Sequence, residues 1–142
     1  MKPNAETLNL LKSAAIEASG NSYSPYSEFK VGAAVMDKRG TVYAGCNVES
    51  ASYGLSQCAE RNAMNAAMSG GSGAGSLFSL LIYTPGDRVH PPCGACRQVM
   101  CELMAQEGQI ISCCDSDEFK TWARGEILPD PFEFRERKDP PG

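Results

Sequence analysis

Ser56-Gln57-Cys58-Ala59-Glu60-Arg61, read together with Pro92-Cys93-Gly94-Ala95-Cys96-Arg97-Gln98, organises the rest of the chain. Each stretch stands at the start of a segment with helical apolar spacing. Residues 55–69 place Ala63, Met64, Ala67 and Met68 on one face, and residues 93–107 place Val99, Met100, Leu103 and Met104 on one face. Between them Leu77–Tyr83 is a continuous apolar run, the pattern of a buried strand parallel to a neighbour. Helix, buried strand, helix predicts a layered α/β domain. A helix start favours anions through its dipole and its free N–H groups, so Cys58 and Glu60 in a first turn suit a thiolate and a carboxylate. Three thiolates fill three corners of a tetrahedral zinc site and leave the fourth open for water. A carboxylate beside that water can move its protons.

Working outward, residues 4–19 read as an amphipathic helix with Leu8, Leu11, Ala15 and Ala18 on one face, capped by Asn4 and stopped at Gly20-Asn21. Residues 21–27 form a loop. Residues 29–36 form a strand whose small residues, Gly32, Ala33 and Ala34, predict close approach by a neighbouring element or a ligand. The turn Asp37-Lys38-Arg39-Gly40 joins it to a second strand over residues 41–48. Asn47 and Glu49, two apart, project to the same face. An amide beside a carboxylate suits vicinal sugar hydroxyls; a solvated strand end is the plainer reading. Residues 69–76 are a flexible connector, and without a following Lys-Ser or Lys-Thr they are no phosphate loop. Residues 84–92 are a Pro- and Gly-rich loop, 109–114 a strand, 119–122 a short last strand, and 124–128 a helical turn closed by Pro129. No repeat or boundary interrupts residues 1–142. The expectation is a single domain, a three-layer α/β/α sandwich around a mixed sheet of about five strands, with a charged, mobile tail over about 133–142.

A chain of 142 residues builds one core and falls short of two. Net charge −4 and 8% aromatics argue against a polyanionic partner such as DNA or RNA. No apolar run of about 18 residues predicts a membrane span. Met1-Lys2-Pro3-Asn4 lacks a hydrophobic signal region, so the reading is cytoplasmic, where thiols stay reduced. Seven cysteines, an odd number, then favour metal over a disulfide framework. Cys46, Cys101, Cys113 and Cys114 lack partner spacing and read as small buried hydrophobes. His90 is the single histidine and lies in a loop, which leaves a His-rich metal site or a Cys-His catalytic pair little to work with. C-x-x-C taken alone also fits a redox pair, or half of a four-cysteine site completed by one of the other cysteines.

Cys58-Ala59-Glu60 with Pro92-Cys93-Gly94-Ala95-Cys96 fits the three-cysteine form of the zinc-deaminase signature, whose Glu is not a ligand. Residues 24–35 (SPYSEFKVGAAV), Asn47-Val48-Glu49, Ser52-Tyr53-Gly54-Leu55, Cys58-Ala59-Glu60-Arg61 and residues 92–99 extend the match. Ile127-Leu128-Pro129-Asp130-Pro131-Phe132 adds to it more weakly. Over nearly its whole length the chain resembles the small, homotetrameric, zinc-dependent cytidine deaminases. The resemblance implies one Zn²⁺ per subunit on Cys58, Cys93 and Cys96, with Glu60 as proton shuttle. It puts Phe29 against the base, Asn47 and Glu49 on the ribose 3′-hydroxyl, and the Ala59 backbone on the base. Tyr53 and Phe132 would help complete a neighbouring subunit's pocket, and Arg61 and Gln98 would surround the metal ligands. Zinc with three thiolates carries a formal charge of −1, and an arginine on the sulfurs would restore Lewis acidity; an ordinary surface arginine is the alternative for Arg61.

The resemblance further implies hydrolysis of cytidine or deoxycytidine to uridine or deoxyuridine plus ammonia, in pyrimidine salvage. The enzyme would be a cytoplasmic homotetramer with shared sites, acting on a small nucleoside and touching neither nucleic acid nor membrane. Rival readings are a deaminase of N4-modified cytidines or of a blasticidin-like nucleoside, and a nonenzymatic four-cysteine zinc module that needs no Glu60. A nucleic-acid base deaminase conflicts with the acidic charge and the lack of a basic, aromatic-lined groove. His90-Pro91 ahead of Pro92, Cys113-Cys114-Asp115, the short segment before Ile127 and the charged tail after Phe132 depart from the family pattern.

Overall fold

Leu77–Tyr83 forms β3, the central strand of a five-stranded sheet, in a computed structural model that describes residues 3–134. Ahead of it come α1 (Ala5–Ser19), β1 (Gly32–Asp37), β2 (Val42–Cys46) and α2 (Ala59–Ser69); after it come α3 (Gly94–Leu103), β4 (Met104–Cys113), β5 (Phe119–Ala123) and α4 (Arg124–Ile127). The order across the sheet is β2-β1-β3-β4-β5. β3 and β4 pair in parallel and the other pairs are antiparallel, so the sheet is mixed as expected.

Strand alternation sorts the core into two layers. Ala34, Leu81 and Ile111 face Leu11 and Ala15 of α1 on one side. Ala33, Val35, Leu80, Ile82 and Ile110 face Ala63, Met64, Ala67 and Met100 of α2 and α3 on the other, with Ile127 of α4. This is the three-layer α/β/α sandwich. Two glycines set how closely the layers meet. A Cβ on Gly32 would lie 1.8 Å from the Ala15 carbonyl oxygen, and one on Gly45 would lie 2.5 Å from the Ala63 nitrogen. The small residues of β1 thus admit α1 rather than a ligand. Asn4 caps α1, its Oδ1 accepting from Thr7 N at 2.8 Å.

Three boundaries differ from the sequence expectation. α3 stops at Leu103, and residues 104–107 enter β4 although Met, Ala, Gln and Glu are good helix formers. Met104 pairs with Leu77, its side chain is buried, and the Leu103 carbonyl accepts from Gly75 N, so long-range pairing overrides local propensity. β1 begins at Gly32 rather than at 29, because the Asn47 side chain stands in for a strand partner. Its Nδ2 donates to Phe29 O at 2.8 Å and its Oδ1 accepts from Val31 N at 2.9 Å. α2 begins at Ala59, with Cys58 as N-cap, while Tyr53–Leu55 forms a separate 3₁₀ turn. From residue 135 onward the expected tail lies outside the described residues.

Candidate active site

The two helix starts meet beyond the carboxyl end of β3, where open α/β sheets bind ligands. Cys58 and Cys93 are the N-caps of α2 and α3, both extended and neither making a side-chain capping bond, so each sulfur is free to point forward. Cys96 follows in the first turn of α3 and is buried. The three Sγ atoms lie within 4.8 Å of one another, and those of Cys58 and Cys93 are 3.7 Å apart. A tetrahedron with Zn–S bonds of about 2.3 Å has sulfur–sulfur edges of about 3.8 Å, so this donor set fits zinc. No other group of three or more metal-ligating side chains occurs among the described residues.

Hydrogen bonding from Cys96, and then from Arg61, pulls the Cys58 thiol down to about 5. Cys96 shifts the opposite way, because it donates to the Cys58 sulfur and is itself buried. A metal replaces that shared proton, and binding releases it. Arg61 Nη2 donates to Cys58 Sγ at 3.4 Å, placing a cation on the sulfurs, while its buried Nε has no partner among the described residues. Glu60 is 5% exposed, and burial raises its carboxyl above the usual range. A carboxyl poised upward in this way is suited to taking and returning a proton.

Cys58, Glu60 and Cys93 line a cavity of about 270 Å³. Phe29, Asn47, Glu49 and the buried Ala59 also line it. Asn47 also accepts from Ser22 Oγ, and Glu49 Oε1 accepts from Tyr26 N at 3.0 Å and Ser27 N at 3.2 Å. Both side chains therefore anchor the loop that carries Phe29. The Ser27 hydroxyl, and then the Ser27 and Tyr26 N–H groups, hold the Glu49 carboxyl below its ordinary range.

Tyr53 and Phe132 do not line this cavity and are 79% and 74% exposed. Gln98, which the resemblance set near the metal ligands, instead donates from Nε2 to Phe132 O at 3.0 Å and ties the C-terminal segment to α3. Sequence reasoning missed Arg97, which donates to Pro92 O and Ile127 O and fixes the approach to Cys93. His90, read from the sequence as a loop residue near the pocket rim and assigned no role, lines the cavity. The position three residues before Cys93 was the available signal.

A mixed sheet with three thiols and one buried carboxyl at converging helix starts is the framework of a zinc-binding deaminase. Comparison with known proteins agrees. A family model described as the cytidine and deoxycytidylate deaminase zinc-binding region matches residues 5–112, and the chain belongs to this family. It is 39% identical to the cytidine deaminase of Halalkalibacterium halodurans over 88% of this chain and 93% of that protein. It is 40% identical to the cytidine deaminase of Mycobacterium tuberculosis over 87% of this chain and 88% of that one. A crystal structure of cytidine deaminase from Burkholderia pseudomallei superposes with a TM-score of 0.83 at 40% identity, covering 87% of this chain and 98% of that chain. No helix among the described residues is long and apolar enough to cross a membrane.

Proposed function

We propose that the chain hydrolyses the 4-amino group of cytidine and deoxycytidine, giving uridine or deoxyuridine and ammonia. The observation that carries this is the burial of Glu60 in a cavity wall that Cys58 and Cys93 also line, with the Cys96 sulfur within 4.8 Å of theirs. Zinc held by Cys58, Cys93 and Cys96 supplies the Lewis acidity that makes a water nucleophilic near neutral pH. The remaining work falls to side chains. Glu60 takes the water proton on a carboxylate oxygen and passes it to N3 of the pyrimidine, as the water oxygen bonds to C4. It then takes the second water proton from the new C4 hydroxyl and delivers it to the exocyclic nitrogen, whose bond to C4 breaks as ammonia leaves and the C4 carbonyl forms. Arg61 holds the Cys58 sulfur by hydrogen bond and draws charge from it. Phe29 lies against the base, the Ala59 backbone contacts it, and Asn47 and Glu49 face the ribose.

The assembly is a homotetramer with shared sites. Its support is the exposure of Tyr53 and Phe132 outside their own chain's cavity, where a neighbouring subunit can receive them. The setting is pyrimidine salvage in the cytoplasm, and all seven cysteines are free, which suits a reducing compartment.

An ultraviolet assay on cytidine, deoxycytidine and an N4-acyl cytidine, with metal content measured on the same sample, tests the reading. Turnover of the first two with one zinc per chain is expected. Full activity in a metal-free sample, or a zinc-loaded sample inert toward both, would overturn it.

A further inference from the structure

The loop between β3 and α3 is held at both ends. At its start Asp115, just beyond β4, accepts from the Tyr83 hydroxyl and, through Oδ2, from Gly86 N at 2.7 Å; its own N–H donates to Gly86 O at 2.8 Å. At its end Arg97 Nε donates to Pro92 O at 2.8 Å. Between these anchors the loop delivers His90, half-buried, into the cavity wall. The imidazole meets the Phe29 ring at a centroid distance of 5.4 Å and an interplanar angle of 73°. Edge-to-face contact of this kind fixes an aromatic wall rather than leaving a mobile side chain in the mouth.

Reaction chemistry decides which edge of the base meets that wall, on the proposed deaminase reading. C4 must lie at the sulfur cluster and N3 beside Glu60. C5 is across C4 from N3, on the side of the base away from Glu60, and the cavity wall not built from the α2 start includes His90, Pro91, Pro92 and Cys93. We infer that His90 is a specificity-determining residue: packed against Phe29, its ring closes the cavity at pyrimidine C5 and limits the substituent the base can carry there. Asp115 is a positioning residue that acts through the loop. Apolar pockets discriminate an extra methylene by roughly tenfold or more, which sets the expected effect.

The test compares wild type, His90→Ala, His90→Phe and Asp115→Asn on cytidine and 5-ethylcytidine, with calorimetric affinities for uridine and 5-ethyluridine. Zinc content and melting temperature are checked on each sample. His90→Ala should raise the ratio of kcat/KM for 5-ethylcytidine over cytidine by about tenfold, through KM, with a parallel gain in relative affinity for 5-ethyluridine. His90→Phe, which restores the bulk, should stay near wild type, and Asp115→Asn should shift the ratio less than His90→Ala in the same direction. An unchanged ratio in folded, zinc-loaded His90→Ala, or equal shifts in both His90 variants, overturns the inference. A wild type inert toward cytidine would sink the deaminase reading instead, and the uridine affinities would still judge the wall.

Discussion

α2 and α3 begin alike and do different work. Each starts from an extended cysteine N-cap aimed at a common point. Past the cap, α2 continues with Ala59, Glu60 and Arg61, which put a buried carboxyl and a guanidinium against its thiolate. α3 continues with Gly94 and Ala95 before its second sulfur, and its polar residues turn outward: Arg97 and Gln98 hold the Pro92 carbonyl and the C-terminal segment. The loop ahead of it carries His90. On the proposed mechanism, proton transfer is thus assigned to one helix start. Two of the three clustered thiols, and the loop that brings His90 to the cavity, belong to the other. The difference teaches that a shared local device, an anion at a helix N-terminus, acquires its role from the next two residues.

Substitutions can break this division of labour. The largest effect belongs to Glu60→Gln, which should lower kcat by about 10²–10⁴-fold with zinc content unchanged. A rate within about tenfold of wild type, only ~1.4 kcal/mol, would move the proton transfer off α2. Arg61→Gln comes next. Losing its bond to the Cys58 sulfur should cost roughly 10–100-fold in turnover or zinc affinity, read by steady-state kinetics and chelator competition. A wild-type result on both would make Arg61 a plain surface residue.

Asp37→Asn is the control remote from both helix starts. Asp37 is buried at the β1–β2 turn, where it accepts from Ser72 Oγ, Arg39, and the N–H groups of Arg39 and Thr41. Its carboxyl stands at about 2 although burial opposes ionisation, because the bonds from Ser72 and Arg39 outweigh that cost. The folded value lies below the unfolded one. The stability it contributes is therefore present above about pH 4 and lost as pH falls toward 2. Thermal melts should show a lower Tm for Asp37→Asn at pH 7, a gap that closes across that window, and unchanged kcat. A gap that persists at pH 2 would assign the effect to packing rather than charge.

The clustering of Cys58, Cys93 and Cys96 and the place of Glu60 in the same cavity were legible in the sequence because the motif spacing is local and its chemistry narrow. The central strand and its parallel neighbour were legible from apolar patterning. Other features depend on contacts across the fold. Glu107 sits in a helix-favouring run, yet Met104 is claimed by pairing with Leu77. Asn47 reads as a sugar ligand, while its amide also replaces a strand partner for Phe29 and Val31. His90 reads as a loop residue until Asp115, 25 positions later in the chain, clamps that loop beside Phe29.

Zinc X-ray absorption on the purified protein tests the open-corner site most directly. The expected spectrum has three sulfurs at about 2.3 Å and one oxygen or nitrogen at about 2.0 Å. Four sulfurs would contradict it, since a closed site leaves Glu60 no water to work on.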